Sequence, residues 1–189
     1  PAFTCVVVPN AILYRGARPV YVDIESRFFN IDVRNVEAAI TPRTKALYAQ
    51  HTFGVPCDAD ALRDIGRRHG IPVIEDAAHA LGAVYRGKPV GSLTEVAFFS
   101  TDHSKVINTH LGGMAVTDDE ALAARLRRVQ SEAFFLDRNV TRRLIRSFLL
   151  EYVAFSPGAL WLGRTVSAVA ARMGLLFYFP DELKTTKPT

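Results

Sequence analysis

Short apolar runs alternate with longer amphipathic segments over the first two thirds of the chain. Residues 17–24, ARPVYVDI, are rich in β-branched and aromatic side chains and read as a strand. NVEAAI, residues 35–40, has helical composition, and Pro42 ends it because the residue before a proline avoids the helical region. KALYAQHTFG, residues 45–54, reads as a strand running into a loop. The clearest helix is DADALRDIGRRHG, residues 58–70: Asp58 is a candidate N-cap, Ala61, Leu62 and Ile65 form an apolar stripe, and Gly70 is a natural stop. IPVIED, EVAFFST and GGMAVTD follow as further strands, and an Asp-capped helix is expected over residues 118–133. The opening PAFTCVVVPN has the look of a strand entered midway.

Strand and helix in alternation, joined by short connections, predict an α/β fold: a mostly parallel sheet with flanking helices. The large domain is expected over residues 1–133. Residues 134–189 are different, strongly apolar and dotted with arginine. Charges at Arg146, Glu151, Arg164 and Arg172 leave no uncharged run of spanning length. A helical C-terminal tail packed on the large domain or on a partner subunit is expected, with an in-plane membrane helix as the rival.

Composition narrows the class. The 189 residues are 49% hydrophobic and 22% charged, enough for a sizeable core. The net charge is +4, but its arginines are spread out and no zinc or RNA-binding signature accompanies them, so no nucleic-acid partner is expected. No metal-ligand pattern is present either. Cys5 and Cys57 lack a CxxC spacing, which fits a reduced, cytoplasmic compartment. The chain does not begin with methionine and lacks the charged start of a signal peptide, so a fragment is expected.

Two positions stand out chemically. In IPVIEDAAHALGA, Asp76 falls where a buried strand should end, and a buried carboxylate needs a partner. Lys105 comes 29 residues later in FFSTDHSKVINTHLGG, after an apolar strand and before a Gly-Gly pair. A lysine so placed can be desolvated and act as a nucleophile. The plainer reading is an ion pair. Ligands of parallel sheets bind beyond the carboxyl ends of the strands, where Asp76 and Ser100 are both expected. Glu75 reads as a supporting or exposed acid, Asp23 as structural, and His51 as a residue that could face a ligand.

The blocks ARPVYVDI, AAITPRTKAL, HTFGVPCDADAL, HGIPVIEDAAHALGAVYRGKPVGS, FFSTDHSK and GGMAVTDDEAL, in that order, resemble the DegT/DnrJ/StrS sugar aminotransferases. These are pyridoxal 5'-phosphate (PLP) enzymes of fold type I. The resemblance runs from residue 1 to about residue 129. It implies that Lys105 binds PLP covalently and moves the substrate proton. It also implies that Asp76 pairs with the cofactor's protonated ring nitrogen, that His79 lies near the ring or its 3-hydroxyl, and that Ser100 bonds the phosphate. The large domain would be of the PLP-dependent transferase type. Its Gly/Thr phosphate-cradling turn would precede Pro1. Cys5 stands where family members usually carry a stacking aromatic, and His110-Leu111-Gly112-Gly113 stands where many read Gly-Glu-Gly-Gly.

The expected function is transfer of an amino group from glutamate or glutamine to a nucleotide-linked keto sugar, in a homodimer. Two rivals remain open. One is another PLP reaction, on a non-sugar ketone or a sugar dehydration. Dehydrating relatives carry histidine for the lysine; Lys105 argues against that branch, although His103 and His110 stand nearby. The other is a truncated or decayed, non-catalytic homologue serving as an interaction module.

Overall fold

The computed structural model describes residues 1–174 apart from positions 103, 110, 134, 135 and 159. His103, His110 and the tail beyond Gly174, all named above, lie outside the described residues. The chain forms two units, one spanning Pro1–Ser131 and another beginning at Glu132.

In chain order the first unit carries helix α1 (Val7–Tyr14), strand β1 (Leu47–Gln50), helix α2 (Ala59–His69) and strand β2 (Val73–Asp76). A small hairpin follows, β3 (Val84–Tyr85) with β4 (Lys88–Pro89), then β5 (Val96–Ser100), β6 (Gly113–Val116) and helix α3 (Glu120–Glu132). The main sheet has the order β1-β2-β5-β6. β1, β2 and β5 run parallel, and β6 returns antiparallel at the edge. The register aligns Gln50 with Asp76 and Asp76 with Phe98, so the carboxyl ends of the three parallel strands lie side by side.

Helix α2 shows why local sequence is sufficient in places. The Asp58 carboxylate accepts from the Ala61 N–H at 3.2 Å, and Gly70 takes the left-handed conformation (φ 65°) that ends the helix. Leu62 and Ile65 of the expected stripe are buried, while Ala61 is only half-buried and Ala59 takes the third buried place. Leu62 and Ile65 join Leu47, Ala49, Cys57 and Val73 in one core cluster. Ala59 packs in a second cluster with Ala77, Val90, Leu93 and Phe99. Each large apolar side chain so buried contributes about 1.5–3 kcal/mol. Helix α3 is capped by Asp119, whose carboxylate accepts from the Ala121 and Leu122 N–H groups.

Three expectations from the apolar pattern are corrected. Residues 17–24 form no strand: Val20 and Tyr21 are exposed, and only an isolated bridge joins Ile24 to Ile31. β-propensity yields a strand only where a neighbouring strand offers a ladder. Residues 35–40 are not an α-helix. Separate 3-10 turns occupy Val33–Asn35 and Glu37–Ala39, because so short a segment cannot repay helix nucleation. The opening apolar run is not a strand either; it leads into α1, where the propensity cost of valine in a helix is only tenths of a kcal/mol, roughly.

In the second unit α4 (Arg138–Ala154) packs on α5 (Leu160–Arg172). Leu144, Ser147 and Ala154 are its buried residues on α4. Gly163 lets the helices approach, since a Cβ there would overlap the Ala154 carbonyl. Among the described residues no helix is long and apolar enough to cross a membrane.

Candidate active site

Asp76 ends β2 and is 6% exposed. The Tyr48 hydroxyl donates to its Oδ2 at 2.6 Å, and the Ala78 N–H donates to Oδ1 at 2.9 Å. Burial first, and then the Asp76 charge, push the Tyr48 hydroxyl far above the usual phenol range, so Tyr48 stays a donor at working pH. Among the described residues no cation forms an ion pair with Asp76. Among the described residues the carboxylate is therefore buried with hydrogen bonds but with no cation paired to it.

The N-terminal segment lies over this strand end. Gln50 accepts from the Thr4 hydroxyl and donates to the Phe3 carbonyl at 3.0 Å and to Thr52 Oγ1 at 2.9 Å. Cys5, next in this segment, is exposed. Phe3 and Phe53 meet edge to face at 5.8 Å.

His79 sits on the exposed turn after Asp76. Its ring lies parallel to that of Phe53, at an interplanar angle of 2° and a centroid distance of 6.4 Å. Its pKa is lowered, mainly by partial burial and then by the Lys105 charge, with Asp76 acting in the opposite sense. Lys105 and Asp76 both lie near enough to His79 for their charges to bear on it. Phe53 adopts φ 52°, a left-handed conformation that a bulky residue rarely takes.

Ser100 ends β5, two residues beyond Phe98, the register partner of Asp76. Its Oγ accepts from the Asp102 N–H at 3.3 Å. Lys105 is half-buried in the loop that follows, and its N–H donates to the Asp102 carbonyl. The loop is closed at its base. The Thr101 and Thr109 hydroxyls are 2.7 Å apart, the Thr109 N–H donates to the Thr101 carbonyl, and the Thr101 N–H to the Gly112 carbonyl. Gly112 has to be glycine, for a Cβ would lie 2.6 Å from Thr101 Oγ1.

Of the two readings of Glu75, supporting or exposed, the structure excludes the second, and it corrects the reading of His51. Glu75 is not exposed; its side chain is wholly buried. It accepts from His51 Nε2 at 3.0 Å, from the Gly91 N–H at 2.6 Å and from the Leu93 N–H at 3.0 Å. His51 does not face a ligand. The Cys57 N–H donates to its Nδ1 at 3.1 Å, which leaves the Nε2 proton pointing at Glu75. Burial pushes the Glu75 pKa up, but these three donors outweigh it and hold the carboxyl below its usual value.

Tyr48 was missed by sequence reasoning. The available signal was its place two residues before Gln50, on the same side of a strand that pairs with β2.

The residues fit PLP. A buried carboxylate that lacks a cation suits a protonated pyridine nitrogen, and a half-buried lysine stands with it around His79.

Comparison with known proteins agrees with this chemistry. The chain is 38% identical to a GDP-perosamine synthase of Caulobacter vibrioides over 194 aligned residues, covering 100% of this chain and 52% of that protein. It therefore spans about half the length of that curated relative. The crystal structure of DesI, determined in the presence of its TDP-sugar product, matches 72% of this chain and 35% of its own at a TM-score of 0.68 and 43% identity. 3-Amino-5-hydroxybenzoic acid synthase matches 68% of this chain and 34% of its own, at a TM-score of 0.64 and 39% identity. The profile of the DegT/DnrJ/EryC1/StrS aminotransferases matches residues 1–146, and the chain belongs to that family.

Proposed function

We propose that the protein containing this chain is a PLP-dependent aminotransferase that moves an amino group from glutamate or glutamine to a nucleotide-linked keto sugar. The observation that carries this reading is Asp76, buried at a strand end with no cation paired to it among the described residues, with Lys105 and Asp76 both in electrostatic reach of His79. The sugar-processing relatives support the acceptor class.

PLP, when bound, supplies an electron sink for the carbanion left when the donor's α-proton departs. Asp76 would hold a proton on the ring nitrogen, and Tyr48 and Ala78 orient its carboxylate. Lys105 Nζ would bind the cofactor, accept the α-proton of the amino donor, and in the second half-reaction deliver a proton to the former carbonyl carbon of the sugar. Ser100 would hold the phosphate, and His79 would line the ring. A homodimer and a cytoplasmic location complete the proposal.

The test is to reduce the full-length protein with borohydride in the presence of PLP, digest it and identify the modified peptide. A pyridoxyl adduct on Lys105 alone supports the site, and the absence of one favours the non-catalytic reading. A panel of keto acceptors then decides the substrate. The 39% identity to 3-amino-5-hydroxybenzoic acid synthase lies between the 38% and 43% to the sugar-processing relatives, which keeps a non-sugar substrate as the second reading.

A further inference from the structure

The His51–Glu75 contact gathers three separate stretches of chain. His51 begins the loop that leaves β1, Glu75 lies in β2 beside Asp76, and Gly91 and Leu93 belong to the turn before β5. Both side chains are wholly buried. An apolar pair of similar volume would stabilise the fold as well or better, so a buried polar contact of this kind calls for a role in geometry.

The loop that His51 anchors is what touches His79. His51 is held at both ring nitrogens, which pins the chain immediately before the turn Thr52–Gly54. Phe53, in that turn, lays its ring parallel to His79. Gly54, at φ 85°, passes so close to the His79 carbonyl that a Cβ would lie 2.9 Å from its oxygen. The positive φ of Phe53 is strain that persists only where the surroundings over-determine it.

We infer that His51 and Glu75 are positioning residues: through the loop carrying Phe53 they set the orientation of His79 beside Lys105 and Asp76. The inference deepens the proposed function and rests on it for the meaning of that wall, since His79 would line the cofactor. Without the pair the loop loosens, Phe53 leaves the His79 ring, and the partial burial of that ring is lost.

The experiment uses the full-length protein, stripped of PLP and then reloaded. His51→Asn keeps an acceptor for the Cys57 N–H but is too short to reach Glu75. His51→Gln places its amide donor near the position of Nε2 and serves as the rescue. The titration midpoint of His79 is read by NMR in the stripped protein, and PLP affinity by absorbance titration. In His51→Asn the His79 midpoint should move up toward the ordinary imidazole value. PLP affinity should fall on the order of tenfold, the size typical of losing a group that orients a ligand-binding side chain. His51→Gln should restore both. A folded His51→Asn protein with either quantity unchanged overturns the inference, whatever its melting temperature. If His51→Asn does not fold, Glu75→Gln, which keeps one acceptor oxygen, is read by the same criteria. A wild-type protein without a PLP adduct would sink the proposed function, while the His79 midpoint would still decide the positioning role.

Discussion

The Tyr48 hydroxyl reaches across from β1 to the Asp76 carboxylate on β2, at 2.6 Å. Among the described residues it is one of two hydrogen bonds that the buried carboxylate accepts. Removing a donor from a buried charged group leaves that group partly unsatisfied. Tyr48→Phe should therefore destabilise the protein by about 1–3 kcal/mol, measured as a lower urea midpoint with an unchanged slope. An equal midpoint would mean that water replaces the hydroxyl.

Asp76→Asn tests the charge and not the shape. The amide keeps one oxygen to accept from Tyr48 or Ala78, so the fold should survive, as far-ultraviolet circular dichroism would show. The countercharge to the ring nitrogen is lost. Turnover of the full-length enzyme should fall by about a hundredfold or more, the range seen when a preorganised electrostatic group is removed. Unchanged turnover would remove Asp76 from its proposed role.

Glu75 makes a prediction about pH. Its folded pKa lies below the ordinary value of 4.5. The stabilisation this gives is fully present above the unfolded value and is lost as pH falls through the lower, folded one. Urea midpoints of the wild type and Glu75→Gln should therefore differ most near neutrality. The gap should narrow below pH 4.5. A gap constant from pH 7 to about 3 would show that the Glu75 charge contributes nothing.

These residues also show what a linear reading can reach. Helix α2 was legible because its cap, stripe and stop are local: Asp58, Leu62 and Gly70 act within their own turns. The strand-end place of Asp76 was legible because IPVIED stops at an acid followed by small residues. Residues 17–24 misled because a strand is a property of pairs, and among the described residues they form only an isolated bridge from Ile24 to Ile31. Glu75 stayed undecided between a supporting and an exposed acid for a related reason. Its partners come from positions 51, 91 and 93, and nothing in the spacing of those residues announces that they converge. Tyr48 shares that difficulty, since its hydroxyl meets Asp76 only once β1 and β2 are in register.

The grouping of Asp76, His79 and Lys105 can be checked without any cofactor. Partial burial is the largest cause of the low His79 pKa, the Lys105 charge is next, and Asp76 opposes both. Lys105→Gln removes the positive neighbour, so the His79 midpoint should rise, though not fully to the ordinary value, because burial remains. Asp76→Asn removes the negative neighbour, so the midpoint should fall further. Opposite shifts from two substitutions are hard to produce by general loosening, which would expose the ring and raise the midpoint in both. The measurement is a histidine NMR titration of the two variants and the wild type after PLP is stripped. Shifts of the same sign, or none, would mean that the three side chains do not share a site.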